Sequence, residues 1–141
     1  MQVKIKKLVP NFKMPCYAHH GDVGLDVFSR EEYNLQPGEK KLFDLGFALE
    51  FPAGYAAIVK DKSSLANKFG VHTMGGVFDA GYRGGYNILL INLSSKIVKI
   101  EEGQKIAQFV FFPIEIAKLE EVEELSDTSR GEGQFGSTGK F

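Results

Sequence analysis

The chain lacks the features that would point to a disulfide framework, a nucleic acid partner or a membrane. Its 141 residues include one cysteine, Cys16, which excludes an internal disulfide and favours a reducing compartment. The formal net charge is −1, so no basic surplus favours nucleic acid or an anionic membrane. No apolar run approaches the roughly 20 residues of a membrane span, and the first residues lack the apolar run of a signal peptide. We therefore expect a cytoplasmic protein that binds neither nucleic acid nor membranes.

Short apolar stretches separated by turns make up most of the sequence, and the length fits one domain. Hydrophobic residues amount to 43%, which is enough for one core. The stretch 86–93, YNILLINL, is nearly all apolar and predicts a strand buried on both faces. Alternation and turn residues predict strands at 1–8, 25–28, 33–35, 41–50, 55–60, 86–93, 97–100, 105–112 and 117–122. This spacing is typical of an antiparallel β-sandwich or barrel.

One segment, DKSSLANKFG at 61–70, predicts a short helix. Asp61 or Ser63 would cap its start, and Gly70 would end it in a left-handed conformation. Because a helix start leaves N–H donors unpaired, two hydroxyls there beside Lys62 also suit an anion site. Ordinary capping is the alternative interpretation of the Ser63–Ser64 pair.

A glycine-rich segment, MGGVFDAGYRGGYN at 74–87, predicts a hairpin with a tight turn at Asp79-Ala80-Gly81. Glycines let a ligand approach the backbone closely, so backbone groups here could read the edge of a base. Asp79 is a candidate for orienting or deprotonating a water, and Tyr82 for stacking on a sugar. In the alternative interpretation, the aspartate and glycines serve only the turn.

Two further places carry polar groups that need an explanation. Asp22 and Asp26 flank Gly24 in GDVGLDVFS, 21–29. Their oxygens suit magnesium, which shares its coordination shell with substrate phosphates, or they are solvated turn carboxylates. Gln108 lies inside an apolar strand and needs a hydrogen-bond partner, either functional or structural.

The last twelve residues, RGEGQFGSTGKF, run from Arg130 to Phe141. They cannot bury enough apolar surface to hold themselves in place, so they predict a mobile arm. The arm nevertheless offers an arginine fork, the aromatic Phe135 and the hydroxyls of Ser137 and Thr138. These groups suit a clamp that orders over a phosphorylated ligand, and a frayed tail is the alternative.

Taken in this order, the motifs resemble those of the homotrimeric dUTP diphosphatases (dUTPases). The five matching segments between Gly21 and Gly139 are GDVGLDVFS, DKSSLANKFG, GGVFDAGYRG, GQKIAQFVFFP and RGEGQFGSTG. The resemblance implies an all-β, distorted jelly-roll-like fold with one short helix, a β domain at 1–126 and a flexible arm at 127–141. It also implies a homotrimer with active sites shared between subunits. The implied reaction is Mg²⁺-dependent hydrolysis of dUTP to dUMP and pyrophosphate, which limits uracil in DNA and provides dUMP for thymidylate synthesis.

The same resemblance implies roles at the nucleoside and the reacting centre. Asp79 would hold the attacking water against the α-phosphorus, and Tyr82 would pack on the deoxyribose. Asp26 would lie near the magnesium ion, in contact through water. Asn87 would lie at the edge of the nucleoside pocket. The uracil would pair with the backbone of Gly76, Val77 and Phe78.

Other residues would bind the phosphates. A neighbouring subunit would contribute Lys62, Ser63 and Ser64, and Gln108 would support that phosphate site. In the arm, Arg130 would grip the γ-phosphate and Phe135 would cover the uracil. The phosphates would be wrapped by Gly136, Ser137 and Thr138.

A few positions depart from the family pattern. Lys62 stands where arginine is usual, which keeps the charge and loses the bidentate fork. An acid is common where Gly81 and Gly85 stand, and a glycine where Gln134 stands.

Two alternatives to a dUTPase are a dCTP deaminase, or bifunctional deaminase–dUTPase, of the same fold and a non-catalytic β-sandwich nucleotide-binding protein. The deaminating glutamate would fall about where Leu89 stands. No acid occurs from Tyr86 to Leu93, so attack at cytosine C4 lacks its proton carrier. The joint presence of Asp79, the serine pair and the arm argues against a non-catalytic protein.

Overall fold

Strands form most of the computed structural model, which describes residues 1–134. One helix, α1, spans Ser63–Phe69. The strands are β1 (Lys4–Lys7), β2 (Leu25–Phe28), β3 (Tyr33–Leu35), β4 (Lys40–Asp44), β5 (Phe47–Glu50), β6 (Tyr55–Asp61), β7 (Val71–Met74), β8 (Val77–Asp79), β9 (Asn87–Asn92), β10 (Val98–Ile100) and β11 (Lys105–Pro113). Within this range, no helix combines the length and apolar character of a membrane span.

Two larger antiparallel sheets share one apolar core. Their strand orders are β2-β11-β6-β8 and β4-β9-β7, and two smaller sheets pair β1 with β5 and β10 with β3. The first sheet contributes Val27 and Phe109 to the core, and the second contributes Phe43 and Ile88, all of them at most 1% exposed. This arrangement confirms the predicted all-β, distorted jelly-roll-like fold.

Strand β9 corrects the prediction of burial on both faces. Its residues alternate: Ile88, Leu90 and Asn92 are buried, and Leu89 and Ile91 are only half-buried. Leu42, which pairs with Leu89 across the sheet, is 53% exposed. The outer face of the β4-β9-β7 sheet therefore carries an apolar patch at Leu42, Met74 and Leu89, next to polar residues such as His72, and residues 1–134 cover this patch only in part.

Three other predictions about strands were wrong. The single strand at 41–50 is two strands, because the chain bends at Gly46 in a left-handed conformation with φ +75°. The segment 74–87 is not a hairpin, since β8 pairs with β6 whereas β9 pairs with β4 and β7. Residues 117–122 form no strand and are exposed. The missed strands, Val71–Met74 and Val77–Asp79, are short and interrupted by Gly75-Gly76, which hid their alternation.

An aromatic cluster connects β8 and β11 of the first sheet to β5 and to the residue just before β9. Tyr86 is fully buried and stacks on Phe78, with ring centroids 4.3 Å apart and an interplanar angle of 17°. It also lies against Phe47 and Phe109, with centroids 6.0 and 5.6 Å away. Burial raises the pKa of Tyr86 to about 12. Its hydroxyl has no hydrogen-bond partner within residues 1–134.

Removing this hydroxyl is expected to stabilise the fold. A buried hydroxyl without a partner costs roughly 1–3 kcal/mol, so Tyr86→Phe should raise the free energy of unfolding by about 1 kcal/mol in urea denaturation. Tyr33→Phe is the matched control and should destabilise, because the Tyr33 hydroxyl donates to Glu39 Oε1 at 2.5 Å. A destabilised Tyr86→Phe protein would show that the hydroxyl has a partner in solution.

Candidate active site

Asp79 ends the outermost strand of its sheet. Strand β8 pairs with β6 alone, and Asp79 lies opposite Ala56. Gly76, just before β8, has φ +92° and its carbonyl accepts a 2.7 Å hydrogen bond from Val59 N. A β-carbon on Gly76 would lie 2.5 Å from Val59 Cβ, so only glycine permits this approach. The opposite edge of β8, beside Asp79, is left unpaired by residues 1–134.

The turn after Asp79 is confirmed and holds Tyr82 close to it. Tyr82 N donates to Asp79 O at 3.0 Å, and Arg83 Nη1 donates to Ala80 O at 2.6 Å. The Tyr82 hydroxyl donates to Gly85 O at 3.1 Å, which folds the ring back over its own loop. Tyr82 is 41% exposed and Asp79 is also exposed, so a carboxylate and an aromatic ring are presented together at the surface.

A second polar cluster is centred on Asp26, whose side chain is 2% exposed. Lys62 Nζ lies 2.6 Å from its Oδ1, and Lys105 Nζ lies 2.6 Å from its Oδ2. Burial raises the pKa of Asp26, but the hydrogen bonds from Lys105 and Lys62 outweigh burial and leave this pKa below its usual value. One carboxylate thus holds two ammonium groups, and the cluster keeps one net positive charge.

Gln108 lies in the same cluster, between two strands. In β11 it pairs with Asp26 on one side and with Lys60 on the other. Its Nε2 donates to the carbonyl oxygen of Asp61 at 2.9 Å, which satisfies the predicted need for a hydrogen-bond partner. The side chain is half-buried, so its amide connects the end of β6 to the surface.

The start of α1 differs from the capping prediction. Lys62 occupies the N-cap position, and no side chain caps the helix. The carboxylate of Asp61 instead accepts from Thr73 N at 2.7 Å and Thr73 Oγ1 at 2.6 Å, and it contacts His72 Nδ1 at 2.7 Å. Burial raises the pKa of Asp61, and these partners more than offset it, so the pKa is lowered. Gly70 ends α1 in the left-handed conformation, as predicted.

Both serines of the first helical turn remain exposed. Ser63 and Ser64 donate no side-chain hydrogen bond within the described part of the chain. Their hydroxyls lie next in sequence to Lys62, whose ammonium is held at Asp26. Cations and hydroxyl donors of this kind suit phosphate oxygens.

The Asp79 loop and the Asp26 cluster lie toward opposite ends of β6. Asp79 pairs with Ala56, whereas Gln108 pairs with Lys60. Four residues along a strand span about 13 Å, so the backbone alone separates the two groups by roughly that distance. Within one chain, the predicted site residues therefore form two separate groups.

The predicted C-terminal residues are only partly described. Arg130 is exposed in a turn, where its Nε donates to Gly133 O at 3.0 Å. Asn87 begins β9, half-buried and opposite Asp44. The predicted ligands Phe135, Gly136, Ser137 and Thr138 lie outside the described residues.

Comparison with known proteins shows the family to which the chain belongs. Residues 10–139 match the family model for dUTPase. The chain belongs to the dUTPase family. The deoxyuridine 5'-triphosphate nucleotidohydrolase of Clostridium novyi (strain NT) is 45% identical, with 99% of each chain covered. That of Clostridium tetani (strain Massachusetts / E88) is also 45% identical, covering 98% of this chain and 97% of the relative.

Solved dUTPase structures share the fold over nearly the whole chain. A mutant dUTPase of Staphylococcus bacteriophage 80alpha with dUpNHpp has a TM-score of 0.90 at 31% identity, with 98% of each chain covered. A mutant dUTPase from phage phi11 of S. aureus, described with a structural Mg(II) ion, has a TM-score of 0.81 at 28% identity, covering 90% of this chain and all of that one.

Sequence reasoning missed Lys105 and the role of Asp26 as an anchor for two lysines. The available signal was the lysine at the start of β11, three residues before Gln108, in a strand otherwise rich in apolar residues. Strand pairing brings this lysine to Asp26, and that pairing cannot be read from either segment alone.

Asp26→Asn is expected to destabilise the protein at neutral pH. The amide leaves two ammonium groups without a charged partner, at a cost of about 2–3 kcal/mol, less than for a fully buried pair because both lysines are partly exposed. Because the folded pKa of Asp26 lies below its unfolded value, the carboxylate's contribution is present above about pH 4 and is lost as the pH falls through the folded pKa.

The difference in unfolding free energy between wild type and Asp26→Asn should therefore shrink in acid. Denaturant unfolding at several pH values measures it. Glu32→Gln is the matched control, since Glu32 pairs with Lys99 at 2.9 Å in an exposed ion pair and should contribute little. A difference independent of pH would contradict the charged anchor.

Proposed function

We propose that this chain hydrolyses dUTP to dUMP and pyrophosphate. The observation that carries the proposal is the outer edge of β8, which residues 1–134 leave unpaired and which presents backbone N–H and C=O groups directly beside Asp79. Such an edge can pair with a base as another strand would, and the open space at Gly75 leaves room for the base. We assign uracil to the backbone of Gly76, Val77 and Phe78, with Tyr82 against the deoxyribose.

We further propose that the active site is shared between subunits of a homotrimer. The separation of Asp79 from the Asp26 cluster along β6 supports this, because one nucleotide would meet the two groups more readily if they came from different copies. The outer face of the β4-β9-β7 sheet offers apolar area for such contacts. Its half-buried or exposed side chains include Leu42, Met74, Leu89 and Ile91.

The phosphates would be bound by the second group of residues. Lys62 is held by Asp26, and it lies beside Ser63 and Ser64 at the start of α1. The surplus positive charge of the Asp26 cluster would offset the charge of a triphosphate, and Gln108 would add an amide donor. The arm would complete the site, with Arg130 on the γ-phosphate, Phe135 over the uracil and the segment from Gly136 to Thr138 around the phosphates.

The described residues do not fit a magnesium ion held by the protein. Within residues 1–134, no group of three or more metal-ligating side chains comes together. Both oxygens of Asp26 are engaged by lysines. Any Mg²⁺ would be carried by the triphosphate rather than by protein ligands and would supply charge neutralisation there. Water-mediated contact between Asp26 and Mg²⁺ stays a prediction. It would require Lys62 or Lys105 to move away from the carboxylate.

The reaction requires little covalent chemistry from the protein. Asp79 would accept a hydrogen bond from a water and orient it toward the α-phosphorus, in line with the leaving pyrophosphate. Fixed cations and dipoles would stabilise charge on the bridging oxygen as the bond breaks. We place the enzyme in the cytoplasm, where a lone thiol such as Cys16 stays reduced.

Product analysis tests the proposed reaction. Pyrophosphate and ammonia release are measured with dUTP, dCTP, dTTP and UTP in the presence of Mg²⁺. We expect pyrophosphate from dUTP, little from the other nucleotides, and ammonia from none. Ammonia from dCTP would identify a deaminase, and tight dUTP binding without pyrophosphate would identify a non-catalytic binding protein.

Light scattering tests the proposed assembly. A trimer should have three times the chain mass of 15.6 kDa. A protein that is monomeric and fully active would contradict a shared site.

A further inference from the structure

A side chain at Gly24 is opposed by the Gln108 side chain that faces it rather than by the backbone conformation of Gly24. Its φ is outside the left-handed region that favours glycine. A β-carbon at this position would lie 1.8 Å from Oε1 and 2.7 Å from Cδ of Gln108. Real β-carbons essentially never approach other atoms this closely. The amide of Gln108 therefore lies directly across Gly24.

The same amide is fixed on its other side. Gln108 Nε2 donates to Asp61 O at 2.9 Å. Asp61 is in turn anchored to Thr73 by two hydrogen bonds, so its carbonyl is not free to follow a displaced amide. A methyl group on Gly24 would push the Gln108 amide away from Asp61 or force the two strands apart.

We propose that Gly24 is a positioning residue for Gln108, an inference that rests on the proposed role of Gln108 at the phosphates. Gly24 has no side chain to offer a substrate. Its contribution is the space that lets the Gln108 amide reach the carbonyl of Asp61, the peptide group just before Lys62. The loop before β2 and the strand β11 thus act as one unit at the phosphate site.

A double-mutant cycle tests the proposal. Gly24→Ala and Gln108→Ala should each lower kcat/KM for dUTP by on the order of 10- to 100-fold, since a misplacement of about 1 Å can cost 100-fold. The Gln108→Ala change removes the three atoms nearest to a β-carbon at Gly24, which are Oε1, Cδ and Cγ of Gln108. The double variant should therefore match Gln108→Ala alone within about twofold.

Separate measurement of kcat and KM distinguishes a misplaced Gln108 side chain from a loss of folded protein. A displaced Gln108 raises KM, whereas partial unfolding lowers apparent kcat alone, so both constants and the active-site concentration are measured. Val23→Ala is the control for the loop, because Val23 is the neighbouring residue and is 74% exposed. It should retain wild-type constants.

Distinct results would overturn the inference and the proposed role of Gln108. Wild-type kinetics of Gly24→Ala, or a double variant that loses the product of both single factors, would overturn the inference. Wild-type kinetics of Gln108→Ala would remove Gln108 from the phosphate site. In that case, the steric relation is tested by the midpoint of thermal unfolding. If Gly24→Ala lowers this midpoint in the wild-type background but not in the Gln108→Ala background, the steric relation is supported. If Gly24→Ala lowers the midpoint equally in both backgrounds, the steric relation is overturned.

Discussion

The Asp79→Asn variant is expected to bind dUTP and to have a kcat lower by a factor on the order of 10²–10⁴, which is the usual contribution of a positioned general base to the rate. The amide has nearly the shape of the carboxylate, so β8 and the turn that holds Tyr82 should keep their structure. An amide is a much weaker acceptor for a proton from water. The loss should therefore fall in kcat, with little change in the affinity for a non-hydrolysable dUTP analogue.

The control for this variant is another exposed loop carboxylate. Asp22 accepts a 2.8 Å hydrogen bond from His19 N, and Asp22→Asn should leave turnover unchanged. Single-turnover pyrophosphate release measures the chemical step directly. Near-normal turnover of Asp79→Asn would remove Asp79 from the mechanism, and loss of analogue binding would assign it to nucleotide binding instead.

Local signals predicted the parts of the site that depend on turns. Gly70 was predicted to end α1, and Asp79-Ala80-Gly81 to form a tight turn, because glycine and aspartate have conformational preferences that act within a few residues. The same reasoning predicted the bounds of β2 and β3 correctly, where turn residues lie on both sides of a short apolar run.

These local preferences could not predict which strands, distant in sequence, pair with each other. Asp61 was predicted to cap α1, yet Thr73 on β7 offers its carboxylate two better-fixed donors. Asp26 was considered with Asp22 as an oxygen ligand, yet the register of β2 and β11 brings Lys105 to it. Short-range patterns cannot report such contacts, because the partners lie far apart in the sequence.

The strand predicted at 117–122 is an error of another kind, because a local pattern predicted an element that the structure does not contain. Its alternation of apolar and charged residues is real, but the sequence pattern does not say what the apolar side would contact. In the structure Leu119 is 92% exposed. The last strand in the described part of the chain ends at Pro113, and residues 114–134 add no side chain to the buried core.

Deleting residues 130–141 is expected to leave the fold intact and to lower kcat/KM on the order of 10³, the scale of losing phosphate-binding donors and a closing cation together. Among residues 1–134, the buried core contains no residue after Phe109, so we expect thermal unfolding to be unchanged. A chain that ends at Gly139 retains RGEGQFGSTG and is the matched control. It should keep wild-type activity.

Mixing two inactive variants tests how the segment acts. The truncated chain has Asp79 but no residues 130–141, and the full-length Asp79→Asn chain has those residues but no carboxylate. If one subunit's arm closes over another subunit's Asp79, refolding the two together should restore a measurable fraction of pyrophosphate release. Recovery is impossible when each arm serves its own Asp79, because every site then lacks one of the two parts. If the mixed assemblies show no activity, the arm and Asp79 of each site lie on the same chain.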